Sequence, residues 1–367
     1  MDIREEKITG LSFLPEGKIF LDIETSGFHP QTSSLFMAGF LISSSAELLL
    51  RQLYITSPQA AEEKALLQRC FSHFSPFSFE KDSFSEKGPL EVGPSSSYSK
   101  VPAPATSVRP SFLVTFNGKA FDLPFLIARA KINHLSFSFE ENLQEDLYQW
   151  LRERKKFFSF PSLKLEKIAQ QAGFIRKDPL SGKAIAASAS SMAQAEVQES
   201  VLLHNKEDLL SLAYLYRCVQ DLRKRLTLVP ASGPLMGMSL ELQRAWIEKD
   251  FAYGEFSFSP LSAPLSSLPS DQPFANEKIP AVFPEKQRGA FSSSFGDISW
   301  TGGRLSLRIN VFSASAGEKH VFLAAFPRPI PDASPYSVKA PLFVFGDGER
   351  FYFENILALV KLLLESY

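Results

Sequence analysis

A short apolar run carrying paired acids constrains this chain more than any other feature. Ile19 to Ile23 is continuous apolar sequence broken by one carboxylate, the pattern of a strand buried on both faces. Side chains two apart on a strand point the same way, so Asp22 and Glu24 project together. Two charges at the end of a buried strand are costly without a cation or a hydrogen-bond donor. Taken alone, such a pair is usually two solvated acids past a strand end. Two later segments change that weighting. Asn117-Gly118 reads as a tight turn after a strand, and Phe121-Asp122 opens a helix with Pro124 in its first turn. His204 and Asp208 are spaced to share one face of an expected helix, beside the apolar stripe of Leu202, Leu209, Leu212 and Tyr216. Gathered at one point, Asp22, Glu24, Asp122 and Asp208 have the chemistry to hold two divalent cations around a phosphodiester.

Each later residue also has a plainer reading. Asp122 suits a helix cap, a role compatible with binding a metal. Asn117 offers an amide to a sugar or phosphate, and Phe121 a ring to a base, but turn chemistry and packing would use both equally well. A histidine and an aspartate one helical turn apart are more often a surface pair than catalytic groups.

The order of elements supports the first reading. Leu35 to Ser43 and Leu48 to Ile55 read as strands joined to the first by connections short enough for an antiparallel meander. Ser57-Pro58 opens a helix whose apolar positions Leu66, Leu67, Cys70, Phe71 and Phe74 recur at helical spacing. Residues 75–110 shift to Ser, Pro, Phe and charged residues without periodicity, the texture of a long mobile insertion. A strand from Phe112 to Phe116 then feeds the Asn117-Gly118 turn, and helices are expected over 123–132, 145–156 and 161–172. An Ala/Ser-rich stretch over 181–195 is a loop or weak helix, and a long helix over 199–225 carries His204 and Asp208. Three strands, a helix, a strand, then helices is the order of a ribonuclease-H-like α/β domain, a mixed sheet flanked by helices.

Beyond Pro230 the texture changes. Residues 240–251 look helical, 257–295 are rich in Ser and Pro, and 304–312 alternate with Leu305, Leu307, Ile309 and Val311 on one face. Residues 342–345 and 350–353 flank Gly346-Asp347-Gly348-Glu349, the signature of a hairpin, and an apolar helix is expected over 355–366. This is a small α+β accessory module without an evident catalytic constellation.

Bulk properties limit the alternatives. The net charge is -1, so a nucleic-acid ligand would have to meet local basic patches, such as Arg152 to Lys156 or Arg223 to Arg225. Both are equally well read as solvated helix surface. Two cysteines, Cys70 and Cys218, exclude a disulfide scaffold or a cysteine zinc site and fit a reducing compartment. No apolar run is long enough to span a bilayer, and the charged N-terminus lacks a signal-type stretch, so a soluble cytoplasmic protein with no membrane partner is expected.

The segments Asp22 to Thr25, Asn117 to Phe125 and His204 to Leu212 resemble the 3′–5′ exonuclease superfamily with four catalytic carboxylates. They more closely resemble the bacterial YprB-like ribonuclease-H-like exonuclease family, which Asp146-Leu147, Ser162 to Glu166 and Arg176 to Gly182 between them also resemble. The resemblance covers residues 17–225, broken by the insertion. It implies an exonuclease domain over 1–228 and an accessory α+β region over 229–367. It implies phosphodiester hydrolysis from the 3′ end of single-stranded DNA or RNA. Asp22, Glu24, Asp122 and Asp208 would bind two Mg²⁺ or Mn²⁺ ions, both of which favour hard oxygen ligands. His204 would accept the proton of water, and Thr25, Asn117, Lys119 and Phe121 would contact the strand. Two departures stand out. Related enzymes place a histidine five residues before the last aspartate or a tyrosine four before, and His204 stands at the tyrosine's spacing. The Ala/Ser-rich stretch is also short and simple. A nucleic-acid-binding or adaptor module with this fold and little or no hydrolysis is the competing expectation. The near-neutral charge favours it, and the intact carboxylates oppose it.

Overall fold

The computed structural model describes residues 1–11, 14–44, 47–57, 59–74, 112–137, 143–261, 288–336 and 338–366. The 75–110 segment expected to be a mobile insertion lies outside these. The chain forms two compact units, Met1–Gln149 with Lys164–Arg217, and Trp150–Leu163 with Cys218–Tyr367.

In the first unit, strands β1 (Asp2–Ile8), β2 (Lys18–Thr25), β3 (Leu35–Ser43) and β4 (Leu48–Tyr54) precede helix α1 (Ala60–Phe71). There follow β5 (Phe112–Thr115), α2 (Asp122–Ile132), β6 (Gln144–Asp146), α3 (Leu147–Arg154), α4 (Leu165–Gln171), α5 (Gly182–Ser188) and α6 (Ala195–Arg225). Both α3 and α6 run on into the second unit. The sheet order is β1-β4-β3-β2-β5-β6. Its first four strands are antiparallel, and β2, β5 and β6 are parallel. This is the mixed sheet flanked by helices that the element order implies for a ribonuclease-H-like domain. Almost every residue of β3 is buried, which its unbroken apolar sequence requires of a central strand. Ile19, Leu21 and Ile23 enter the main apolar cluster with Phe36, Phe71, Phe125 and Leu202. Phe20 meets Tyr216 of α6 edge-on at 5.6 Å.

Several boundaries differ from the sequence reading for physical reasons. Glu145 and Asp146 end a strand and do not begin a helix: Asp146 Oδ1 accepts the Tyr148 and Gln149 N–H groups at 3.0 and 3.3 Å, capping α3. The helix expected over 161–172 shortens to α4, with Lys164 as its cap. Helix α1 is capped by Gln59 without a side-chain bond, not opened by Ser57, and Pro58 lies outside the described residues. The 181–195 stretch contains α5, capped by Ser181. β1 was not foreseen. It is an exposed edge strand of charged residues and has no apolar alternation to betray it.

The second unit holds the antiparallel sheet β10-β11-β12-β9-β8-β7, from β7 (Thr227–Leu228), β8 (Met238–Glu248), β9 (Phe251–Pro260), β10 (Arg288–Ser292), β11 (Gly296–Thr301) and β12 (Arg304–Asn310). A three-stranded sheet of β13 (Phe312–Ala316), β14 (Lys319–Ala325) and β15 (Leu342–Gly346), and helix α7 (Phe353–Glu365), complete it. Residues 240–251, expected to be helical, belong to the β8–β9 hairpin instead. Met238, Leu240 and Leu242 are buried in strand alternation, and Lys249 turns the chain at φ 54°. The hairpin expected around Asp347-Gly348 keeps its turn and β15, but its second arm is a single bridge, Gly346 to Phe351. The Phe351 N–H is taken by the Lys156 carbonyl at 2.9 Å, and α7 starts two residues later. Among the described residues no helix is long and apolar enough to cross a membrane.

Candidate active site

Strand β2, the start of α2 and the middle of α6 bring Asp22, Glu24, Asp122, Asp208 and His204 together. Glu24, His204 and Asp208 each offer one ligand-type atom, all within 4.8 Å of one another. Asp122 is the first residue of α2, not its cap, so its carboxylate lies where the helix presents unpaired N–H groups. The turn before it is held by Asp146, whose carboxylate accepts the Asn117 and Lys119 N–H groups at 2.9 and 3.0 Å. Asn117 sits at φ 65°, a conformation asparagine tolerates better than most residues.

The electrostatics are those of a cluster short of positive charge. Burial, then the charges of Glu24, Asp208 and Asp122, pushes Asp22 well above the usual carboxylate range, against the hydrogen bond from Asn205. Burial also lifts Glu24 to about 8, although His204 opposes the rise. Asp122 reaches about 7, through burial and the nearby Asp146 and Asp208, despite backbone hydrogen bonds. Burial lowers His204, but its hydrogen bond to Asp208 and the charges of Asp208 and Glu24 overcome this and raise it to about 9. Glu24 Oε1 is buried with no hydrogen-bond partner among the described residues. Hard carboxylate oxygens, one of them orphaned, crowded against each other, fit divalent cations such as Mg²⁺ or Mn²⁺.

Those shifts set a pH dependence. Between their unfolded values and about pH 9, Glu24, Asp122 and His204 hold protons in the folded chain that the unfolded chain has released. Stability of the metal-free protein should therefore fall as pH rises through this window. His73, pushed down to about 4 by burial and then by Arg51 and Arg69, acts oppositely, but only below its ordinary value of 6.5. Thermal melts in EDTA should thus show a lower Tm at pH 9 than at pH 7, and added Mg²⁺ should recover more at pH 9. A Tm that rises with pH over that interval contradicts these shifts.

Several residues that the sequence did not single out hold the cluster in place. Asn205 Nδ2 donates to Asp22 Oδ2 at 2.8 Å, and its Oδ1 accepts from Gln52 Nε2 at 3.1 Å. Asp22, Gly39 and Gln52 lie side by side across β2, β3 and β4. Gly39 leaves the space that Asn205 fills: a Cβ there would meet Asn205 Oδ1 at 1.9 Å. Gly39→Ala should therefore displace a buried, clamped amide, costing about 1–3 kcal/mol of stability and weakening Mn²⁺ binding roughly 10- to 100-fold. Titration calorimetry and thermal melts check both, and an unchanged Mn²⁺ affinity contradicts the role given to Asn205. Arg176 bonds Asp208 through Nη1 and Asp178 through Nη2 at 3.0 Å, and Asp178 Oδ2 lies 2.5 Å from His204 Nδ1. The adjacent positions in His204-Asn205-Lys206-Glu207-Asp208, and the Arg176 to Gly182 segment, were the only sequence signals for these partners.

The residues expected to contact a strand are placed less tellingly. Thr25 is buried and donates its hydroxyl to the Gly27 carbonyl at 2.9 Å. Lys119 is exposed. Phe121 packs between Phe125 and Phe28, the latter 81% exposed. A cleft of about 500 Å³ opens beside His204 and Asp208, with Lys164, Lys167 and Arg176 among its lining.

Residues 102–220 match the family model of the RNase_H superfamily, about a third of the chain. The matched stretch includes Asp122, His204 and Asp208, while Asp22 and Glu24 precede it. No curated protein matches the chain. Among solved structures, the chain is similar to an exonuclease I structure that suggests how processivity is achieved, at 14% identity and TM-score 0.31 over 69% of this chain and 56% of that one. It is also similar to a product-bound exonuclease I, at 13% identity and TM-score 0.31 over 69% of this chain and 60% of that one. A zinc-bound complex of E. coli ExoI with single-stranded DNA gives 14% identity and TM-score 0.31, over 69% and 56%. The chain spans less than two thirds of the length of these structures.

Proposed function

We propose that this chain is a metal-dependent nuclease that trims single-stranded DNA or RNA from the 3′ end. The observation that carries the reading is the meeting of Asp22, Glu24, Asp122 and Asp208 in one partly buried cluster, with His204 against it and a cleft alongside. Polarity and strand preference rest on the motif resemblance. Asp22, Glu24 and Asp208 would hold one divalent cation, and Asp22 with Asp122 a second. When bound, the cations supply positive charge to the phosphoryl oxygens and to the attacking and leaving oxygens.

The chain's own residues do the rest. In this reading, a water attacks the terminal phosphorus and His204 Nε2 takes its proton; the bond to the 3′-oxygen of the preceding nucleotide breaks, that oxygen takes a proton from solvent, and a nucleoside 5′-monophosphate is released. His204 must first shed the proton that Asp208 and Glu24 help hold on it. These are also carboxylates that a cation would engage, so metal binding and the working state of His204 are linked. Lys119 and the Phe28–Phe121 pair are assigned to the phosphate backbone and to a base face. The Thr25 hydroxyl shapes the turn that presents Phe28, and Asn117 shapes the turn that presents Asp122. Free thiols at Cys70 and Cys218 suit a reducing cytoplasm.

The reading is tested by incubating a labelled single strand with the full chain in Mn²⁺ and in EDTA. Cleavage in Mn²⁺ and none in EDTA is expected. Binding in both without cleavage identifies the adaptor module instead.

A further inference from the structure

Residues 176–180, between α4 and α5, are fastened to α6 by bonds that converge on His204. Glu207 Oε2 accepts the Lys177 and Asp178 N–H groups, each at 2.7 Å. The Leu180 N–H closes a turn on Asp178 Oδ1 at 3.0 Å. The backbone and one oxygen of Asp178 are thus committed, and its Oδ2 meets His204 Nδ1 at 2.5 Å with the carboxylate 1% exposed. Arg176 Nη2 reaches that same oxygen at 3.0 Å.

Proton positions follow from the chemistry of the partners. Burial would raise Asp178, but the hydrogen bonds from Leu180, His204 and Arg176 outweigh it and hold it below the ordinary range. It is therefore ionised and only accepts, so the ring proton sits on Nδ1. Arg176 Nη2, 3.3 Å from Nδ1, does not bond it, because both nitrogens are donors converging on one oxygen. The ring's other nitrogen, Nε2, faces Asp208 Oδ2 at 3.2 Å, inside the cluster.

We infer that Asp178 is the positioning residue of His204, fixing the ring so that Nδ1 keeps its proton and only Nε2 is turned to the carboxylate cluster. The inference rests on the proposed role of His204 as proton acceptor. It accounts for a histidine at the spacing where related enzymes carry a tyrosine: an imidazole has a second polar atom by which it is held from behind, and a phenol does not.

The test combines a spectrum with kinetics on the full chain. Proton NMR of the metal-free protein should show an exchange-protected imidazole N–H resonance far downfield. It should vanish in His204→Ala and in Asp178→Ala, and persist but shift in Asp178→Asn, whose amide oxygen still accepts. Asp178→Ala should lower kcat by at least roughly tenfold with KM and Mn²⁺ affinity unchanged, and Asp178→Asn should recover part of the loss. The His204→Ala/Asp178→Ala double variant should be no slower than His204→Ala, since a residue acting only through another adds nothing once that partner is gone. Additive losses, or a resonance that survives in Asp178→Ala, overturn the positioning role while leaving the nuclease reading intact. If the wild-type chain cleaves nothing, the nuclease reading fails and the positioning role with it. Should Asp178→Ala not fold, Asp178→Asn in the wild-type and His204→Ala backgrounds gives the same comparison.

Discussion

Asp22→Asn should abolish metal-dependent hydrolysis and at the same time raise the Tm of the metal-free protein. The amide has nearly the shape of the carboxylate, and Asn205 Nδ2 can still donate to its oxygen from 2.8 Å, so the local fold is kept. What is lost is a charge that burial, Glu24, Asp208 and Asp122 all disfavour when no cation is present. Relief of that repulsion stabilises the metal-free chain, most clearly near pH 8, where the wild type must ionise several of these groups. With cations present the sign reverses, because an amide is a poorer ligand than a carboxylate for a hard divalent ion. Even residues that only support metal ligands are worth roughly 10- to 100-fold in affinity or activity, so removing a direct ligand should cost more than about 100-fold. Melts in EDTA and in Mg²⁺, beside turnover on a labelled strand, measure both halves. Wild-type turnover in Asp22→Asn would remove the basis for a metal site on β2.

His204→Ala should lower turnover by roughly a hundred- to ten-thousandfold, the worth of a lost general base. Mn²⁺ affinity should change little at pH 9, because the four carboxylates remain. Near pH 7 it should improve slightly, since the imidazolium that Asp208 and Glu24 now stabilise no longer competes for them. His204→Tyr should retain more activity than His204→Ala, as a phenol at this spacing is the arrangement the related tyrosine-type enzymes use. Single-turnover rates at saturating Mn²⁺ separate chemistry from binding. Equal rates for Ala and wild type across neutral pH would leave His204 as a structural partner of Asp178 and Asp208.

The acids were legible in the sequence because each sits where local chemistry is restrictive. A carboxylate pair in an apolar strand, an aspartate opening a helix after Asn-Gly, and a polar pair beside a helical apolar stripe are all exceptions to their surroundings. The partners that hold them were legible only as neighbours of the motifs, not in their roles. Gly39 looks like any small residue in a strand, and its role appears only when β2, β3 and β4 are set in register and Asn205 enters the gap. Asp178 lies in the Arg176 to Gly182 segment, whose sequence does not say which residue it meets, and its pairing with His204 depends on Glu207 drawing that segment onto α6. The accessory unit was misread over 240–251 because Leu240, Leu242, Ala245, Trp246 and Ile247 satisfy both a helical and a strand period over so short a span. Pairing with β9 across the turn at Lys249 decided it, and that rests on Tyr253, Phe256 and Phe258, which lie beyond the 240–251 window.

Whether the carboxylate cluster hydrolyses a strand from its 3′ end is decided by incubating a 5′-end-labelled single strand with the purified full chain and Mn²⁺ and resolving it by length over time. A ladder that shortens stepwise from the 3′ end, with release of nucleoside 5′-monophosphates, is expected. No ladder should form in EDTA or with Asp208→Asn. A strand that stays full length in Mn²⁺ and Mg²⁺ while remaining bound to the protein would contradict it.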